Sequence, residues 1–436
     1  MKWLIAGVLL FVLAAAFDLS LLVYAIYAIV LILVVSRQVT RSWAANVISN
    51  RKTSSTTANV GDQVTVKFEI TNQSIWPIAW MIIEDLIPKK SLAFNPPALE
   101  INGKRIDVCK FQAKETKHWI YSITCHRRGY HQVGPTLVET GDMFGFNRRF
   151  RVLTEPEFLL VYPKIVALAG YDIDSQRPIG EVIMTNRLFE DPTRIAGVRG
   201  YQPGDPLNRI HWRATASSGK LQSKLYEPSS LAGATLMVDF HQTSFETQHE
   251  PVRSELSITA AASIASALNE IGQQCGLVSN GRDAVDRIRS EGWQGDERTR
   301  HQAKEAVLMT AQSERMRPVV VPTRKGPMQQ LQIQRSLARL ELTDALTFPQ
   351  LVTETHNRLS RDATVVAILP RINLENAIAL QGLQKQGFRV MAIVNQFSDE
   401  VFAQTSAALL DQGISVAQLR DENSIRGICE KTALLK

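Results

Sequence analysis

Cysteine is scarce in this chain: Cys109, Cys125, Cys275 and Cys429 are the only four in 436 residues, with no C-x-x-C pair and no histidine at ligand spacing. That removes support for a structural zinc site or dithiol redox chemistry, and leaves free, buried thiols as the expectation. No G-x-x-x-x-G-K-[ST] run is present, so nucleotide hydrolysis has no phosphate-binding loop here. A G-x-S-x-G nucleophile elbow is missing too. His211 with Ser217 or Ser218 and Asp205 can be drawn as a hydrolytic trio, but serines beside a glycine at a helix end usually cap or turn, so no catalytic residue is assigned. Positive charge is in modest excess, with 49 Lys and Arg against 42 Asp and Glu giving +7. It is spread along the chain apart from Arg127-Arg128 and Arg148-Arg149-Phe150-Arg151, which suits an acidic membrane surface better than nucleic acid. Neither a cofactor nor a small-molecule substrate is expected, and there is no internal repeat or low-complexity tract.

What the chain has in abundance, at its start, is apolar length. From Trp3 to Val35 the polar interruptions are Asp18 and Ser20, tyrosines aside. One helix over that run would measure roughly 50 Å against a hydrocarbon core of roughly 30 Å, and would bury Asp18 near its middle at about 3 kcal/mol. A transmembrane hairpin over 1–36 is therefore expected, with spans Trp3 to Phe17 and Leu19 to Val35 and a turn at Asp18-Leu19-Ser20; one long helix stays open as the alternative. Lys2, Arg37, Arg41, Arg51 and Lys52 then fall on the cytoplasmic side by the positive-inside rule. A cleaved signal peptide ending near Ala14-Ala15-Ala16 is the competing reading, and it would allow Cys109 and Cys125 to pair outside the cytoplasm.

Residues 37–59 read as a linker, Ser/Thr-rich from Thr53 to Asn59. Residues 60–155 then change to short alternating runs: Val64 to Ile70, Trp80 to Asp85, Ile106 to Phe111, Trp119 to His126 and Thr136 to Glu139. Turn formers at Pro96-Pro97, Asn102-Gly103, Arg128-Gly129 and Gly134-Pro135 separate them, the pattern of an all-β, immunoglobulin-like sandwich.

A signature segment, 156–231, follows. Within it Arg199-Gly200-Tyr201-Gln202-Pro203-Gly204-Asp205-Pro206 leads to Arg209-Ile210-His211-Trp212-Arg213 and then Ser218-Gly219-Lys220-Leu221. Pro203-Gly204 fits the centre of a type II turn. Asp205 reads as the N-cap of a three-turn helix with Pro206 at its first position and Gly219 as its stop. Arg209 and Arg213 would share one face, with Leu207, Ile210, His211 and Ala214 toward another. Two readings stand: Tyr201 and Trp212 as packing anchors, or a docking surface formed by Arg199, Tyr201, Pro203, Gly204, Asp205, Arg209, His211, Trp212, Arg213, Gly219 and Lys220. These motifs, with Arg127-Arg128-Gly129 and Asp142-Met143-Phe144-Gly145-Phe146, closely resemble the bacterial family called "domain of unknown function 58". Met143 stands where that family usually has proline, and Gly200 and Leu225 stand where it commonly has an acid.

From 232 to 436 short apolar strands alternate with helical periodicity, beginning with Thr235 to Asp239 and the helix carrying Leu256, Ala260, Ile264 and Leu268. Such alternation predicts a parallel sheet covered on both faces. A polar, charged stretch at about 281–317 reads as an insertion. The resemblance implies that this region is von Willebrand type A-like and that the protein works with a MoxR-type AAA+ ATPase; the apolar start and its flanking basic residues place it as a multi-pass protein of the bacterial inner membrane with cytoplasmic domains, the lipid bilayer being a further partner. The function so implied is a non-enzymatic, membrane-anchored interaction or assembly protein; a membrane-associated hydrolase or cell-envelope processing enzyme is the alternative. In type A domains a strand ends in Asp-x-Ser-x-Ser, whose oxygens bind Mg²⁺. Here Asp239-Phe240-His241-Gln242-Thr243 keeps Asp239 and Thr243 but puts His241 between them, and Arg371 follows the later strand where an acid is needed. A degenerate loop without metal is the expectation.

Overall fold

The computed structural model describes residues 20–92, 96–142, 145, 147–166, 190–202, 210–228, 233–291, 301–302 and 317–434. They fall into two compact units, Met1–Tyr162 with Ala284–Thr310, and Pro163–Asp283 with Ala311–Lys436.

The first unit opens with α1 (Ser20–Ala45), the one described helix long and apolar enough to cross a membrane. The expected first span, Trp3 to Phe17, lies outside the described residues, as do Asp18 and Leu19 of its turn, while Ser20 opens α1. Strands β1 (Val47–Thr53), β2 (Thr57–Asn59), β3 (Gln63–Asn72), β4 (Ile78–Asp85), β5 (Leu99–Gly103), β6 (Ile106–Phe111), β7 (Thr116–Cys125), β8 (Gly129–Val133), β9 (Thr136–Gly141), β10 (Arg148–Val152) and β11 (Glu157–Tyr162) follow. They build antiparallel sheets in the orders β1-β3-β7-β5 and β10-β9-β4-β6, and a smaller sheet β2-β11-β8 whose β2–β11 pair is parallel. Burial in β3 alternates at period two, so Val64, Val66, Phe68 and Ile70 enter a core shared with Met81 and Ile83 of the second large sheet. Phe68 stacks on Trp119 at 5.4 Å between ring centroids. The expected linker over 37–59 is not one: α1 runs on to Ala45, and β1 pairs along its whole length with β3. The physical reason is an edge strand with few apolar residues, since only alternate side chains, Val47 and Arg51 among them, turn inward. Cys109 and Cys125 are free, as is Cys275 in the second unit.

Arg51 is buried as half of an ion pair. Its Nη1 donates to Asp85 Oδ1 at 3.1 Å, and Asp85 also accepts from Tyr121 Oη at 2.6 Å and Thr136 Oγ1 at 3.1 Å. Arg51 Nη2 donates to the Glu155 carbonyl at 3.3 Å and lies 3.6 Å from Glu157.

The second unit contains the pair β12 (Glu190–Gly200) and β13 (Gln222–Pro228), with α2 (Trp212–Ser218) between them. Next come β14 (Gly233–Val238), α3 (Val252–Glu270), β15 (Gln274–Ser279) and β16 (Arg282–Asp283), and α4 (Ala284–Glu291) opens the inserted stretch that groups with the first unit. After it come β17 (Val319–Arg324), α5 (Pro327–Arg339), β18 (Leu340–Glu341), α6 (Phe348–Thr355), β19 (Thr364–Leu369), α7 (Leu374–Lys385), β20 (Val390–Val394), α8 (Asp399–Leu410), β21 (Ser415–Gln418) and α9 (Glu422–Leu434). The main sheet has the order β17-β15-β14-β19-β20-β21, and apolar clusters cover both of its faces. It is mixed, which corrects the expected parallel sheet: β17 runs antiparallel to β15, with Val319 opposite Ser279. The chain leaves the sheet at the carboxyl end of β15 for the insertion and re-enters at that same end, so the next strand must run back.

Candidate functional site

The signature folds as an antiparallel pair bridged by a short helix. Val198, Arg199 and Gly200 of β12 lie opposite Lys224, Ser223 and Gln222 of β13, and Tyr201 N donates to the Leu221 carbonyl at 2.9 Å. Ile210 is buried and bridges to Ser223, while His211 N donates to the Gln222 carbonyl at 2.8 Å. Those contacts hold residues 210 and 211 extended against β13, so α2 starts at Trp212 rather than at the predicted Pro206. His211 takes the capping role assigned to Asp205, its Nδ1 accepting from Ala214 N at 3.0 Å. Its stop is the predicted one, Gly219 in the left-handed region at φ 64°. Pro203, Gly204, Asp205 and Arg209 lie outside the described residues, and with them the proposed type II turn and the shared arginine face.

No residue of α2 is buried. Trp212 is 68% exposed, which corrects the packing-anchor reading for that ring. Arg213 and Lys220 are exposed with it, as are Val198 and Leu221, while Arg199, Tyr201 and His211 are half-buried. The anchor of the motif is instead Ile210, a residue the sequence had placed only on the helix face away from Arg209 and Arg213. Ser218 Oγ donates to the carbonyls of Ala214 at 2.8 Å and Lys220 at 3.0 Å, so His211 and Ser218 both serve helix ends.

A second polar centre sits at the carboxyl ends of β14 and β15. Asp239 is fully buried, and its Oδ1 accepts from Asn280 Nδ2 at 2.9 Å and His241 N at 3.2 Å. Oδ2 has no partner within hydrogen-bond distance, although the Ser244 side chain lies near enough to favour its charge. Loss of solvent outweighs these groups and raises the carboxyl pKa above the ordinary range. Thr243 Oγ1 is taken by His241 Nδ1 at 2.8 Å, and Arg371 Nε donates to the Ser244 carbonyl at 3.2 Å, bringing positive charge to the loop. Asp239 Oδ1 and Thr243 Oγ1 are thus spent on other bonds, Arg371 adds positive charge nearby, and no group of three His, Cys, Asp or Glu among the described residues could hold a metal.

Sequence reasoning missed Asn280, which ties this centre together by accepting from Phe240 N at 2.6 Å and donating to the Leu346 carbonyl at 2.8 Å as well as to Asp239. Its signal was an Asn-Gly pair directly after a buried strand, legible only as a turn. Also missed was buried Arg253, which donates to the Asn395 carbonyl and lies 3.7 Å over the Phe397 ring. Burial lowers its pKa to about 10.

Fold and signature together define a class: a chain joining an apolar helix and antiparallel sheets to an α/β unit with a mixed sheet and an exposed strand–helix–strand motif. Residues 197–368 match the family described as "Protein of unknown function DUF58", the family that the signature motifs resemble. It is 25% identical over 237 residues to "Uncharacterized protein YeaD" of Bacillus subtilis (strain 168), covering 54% of this chain and 56% of that one. The chain thus spans about half the length of the curated relative it matches. Among solved structures, proximal thread matrix protein 1 from the mussel byssus aligns at 11% identity over 47% of this chain and 45% of its own, with TM-score 0.29. The pilus adhesin SpaC from Lactobacillus rhamnosus GG aligns at 8% identity over 77% and 33%, with TM-score 0.31. At such scores neither carries an argument about fold or activity.

Proposed function

We propose that this chain is a non-enzymatic, membrane-anchored interaction protein that works with a MoxR-type AAA+ ATPase at the bacterial inner membrane, its soluble units facing the cytoplasm. In this reading the first unit is an immunoglobulin-like sandwich, supported by two four-stranded antiparallel sheets over one core. The second is a degenerate von Willebrand type A-like domain, supported by Asp239 at the end of a central strand and by Thr243 four residues on. Basic Arg37 and Arg41 after the exposed apolar stretch of α1 support the cytoplasmic side.

The observation that carries the proposal is the exposed Trp212 ring on a helix with no buried residue, flanked by exposed Arg213 and Lys220. An indole left in water forgoes its burial energy, and tryptophan with arginine is the pair most enriched where partners bind tightly. The hydrolase alternative needs His211 and Ser218 to act on each other, and both are engaged in capping bonds.

The test uses the full chain in detergent with a purified MoxR-type ATPase from the same organism, with and without ATP. Trp212→Ala combined with Arg213→Ala is expected to keep its unfolding profile and lose association by tenfold or more, since a central tryptophan contact is worth about 2 kcal/mol or more. Undiminished association by that variant sinks the proposal. So does a substrate turnover abolished by His211→Ala in a correctly folded protein.

A further inference from the structure

Helix α1 changes surroundings at one level. Its described apolar side chains from Leu21 to Val35 are exposed apart from half-buried Ile26, Ser36 is half-buried, and Thr40 and Trp43 are buried in the first unit. Ser36 Oγ donates to Asp142 Oδ2 at 2.6 Å, and Asn147 Nδ2 donates to Asp142 Oδ2 at 2.9 Å and to Ser36 Oγ at 3.3 Å. Both ends of the β9–β10 connection are thereby pinned at Ser36. Further along, Arg151 Nη1 donates to the carbonyls of Ala44, Ala45 and Val47 at 2.9, 2.8 and 3.1 Å, capping the carboxyl end of α1. The strand from Asn147 to Arg151 therefore runs beside the helix from Ser36 to Ala44. Four strand steps and eight helix steps give about 13 Å and about 12 Å, so the two stay level with each other.

Five arginines occupy this stretch, and with Arg151 spent on the end of α1 four remain. Arg37 and Arg41 are exposed and one turn apart on α1, Arg148 is 66% exposed, and Arg149 is half-buried. Glu139 lies 3.8 Å from Arg148, and Asp142 is committed to Ser36 and Asn147. Among the described residues no carboxylate lies within ion-pair distance of Arg37, Arg41 or Arg149, so the band is net positive. Trp80, whose Nε1 donates to the Asp142 carbonyl at 3.2 Å, stands at the same level, as tryptophans do at membrane interfaces.

We infer that Arg37, Arg41, Arg148 and Arg149 form a collar that binds the phosphates of anionic phospholipids and seats the first unit directly on the bilayer surface. The inference rests on the membrane-anchored reading above. A headgroup layer is roughly 5–8 Å deep on each side, about one helical turn, which matches the spacing of Arg37 and Arg41. Arginine stems reach along apolar surface while the guanidinium, which pairs with phosphate through two parallel bonds, stays at the interface. No flexible linker intervenes, so the collar and the helix hold the sandwich in one orientation.

The experiment displaces a fluorescent phosphatidylglycerol from the full chain in neutral detergent, with unlabelled phosphatidylglycerol, phosphatidylcholine and inorganic phosphate as competitors. Wild type is expected to prefer phosphatidylglycerol to phosphatidylcholine by at least tenfold, to weaken as salt rises, and to ignore millimolar phosphate. At about fivefold per cation, Arg37→Gln with Arg41→Gln loses roughly 25-fold. Adding Arg148→Gln and Arg149→Gln brings the loss to the order of a hundredfold, because Glu139 already offsets part of Arg148. Equal binding of the two lipids by wild type, or unchanged phosphatidylglycerol binding by a helix double variant that unfolds like wild type, overturns the collar. Alkaline extraction of cell membranes separates the two readings: wild type that stays in the membrane yet shows no lipid preference loses only the collar, while wild type that washes off loses the membrane anchor as well.

Discussion

Replacing Asp85 with Ala removes the acceptor of three hydrogen bonds in a site closed to water: Arg51 and Asp85 are 1% and 0% exposed, and Tyr121 is 1% exposed. The cost is set by what stays behind. Breaking one side of a buried ion pair costs about 3–5 kcal/mol because the remaining charge is stranded. Glu157 at 3.6 Å and the Glu155 carbonyl still offer Arg51 partial compensation, which pulls the figure down. The Tyr121 hydroxyl loses a bond to a charged acceptor, worth about 1.5–3 kcal/mol, which pulls it up. About 4 kcal/mol is the expectation, a large part of the roughly 5–15 kcal/mol that holds a domain together. Arg51→Met with Asp85→Leu removes both charges and should recover most of the loss, since apolar replacement of a whole buried pair is often neutral or favourable. Urea unfolding of the full chain in detergent, followed by the fluorescence of Trp119 stacked on Phe68, reads the first unit. A loss below about 1 kcal/mol for Asp85→Ala, or a double variant no more stable than the single one, would refute the reasoning. Gly134→Ala offers an independent approach: its φ of 85° disfavours a side chain, and an added Cβ would lie 1.9 Å from Arg51 Nη1, so it should expel the guanidinium and cost a comparable amount.

Trp212→Ala should change stability by about 0.5 kcal/mol or less, measured by thermal unfolding, because the ring is mostly in water; a loss of about 3 kcal/mol would mean that it is packed. The raised pKa of Asp239 fixes the sign of a pH effect: the native state binds its proton more tightly than the unfolded state, so this group's contribution is complete below the ordinary carboxylate pKa and is lost as pH rises through the raised value. Asp239→Asn should therefore be neutral or stabilising at pH 7 to 8 and flatten the decline of stability between acid and neutral pH; a destabilised, equally pH-dependent variant would contradict this. Millimolar Mg²⁺ or Mn²⁺ should leave the melting temperature unchanged, and a saturable rise that vanishes in Asp239→Ala would show ion binding in the loop. Burial pushes the Cys275 thiol up to about 12 and those of Cys109 and Cys125 to about 11, so maleimide labelling of the native protein at pH 7.5 should be slow at all three, and rapid native labelling of Cys275 would deny its burial.

Local periodicity made part of the architecture legible in advance. The period-two run of β3 put Val64, Val66, Phe68 and Ile70 in the first core, and the 3.6-residue recurrence of Leu256, Ala260, Ile264 and Leu268 put α3 against the sheet of the second. Gly219 ended its helix as expected, because a left-handed residue at a helix end is a local demand that glycine meets alone. Contacts between distant residues decided the rest. The backbone pairing of Ile210 and His211 with β13 delayed the start of α2 past Asp205 and Pro206, and so turned Trp212 into solvent. Arg51, read from sequence as a charge beside the membrane, found Asp85 34 residues away in the core. Asn280 became the tie for Asp239 only when β14 and β15 were laid side by side, and β17 turned antiparallel because the insertion brings the chain back to the end it left. Sequence specified the elements through their repeating side-chain pattern. Which polar groups meet, and which aromatic ring stays outside, followed from strand pairing that no local pattern encodes.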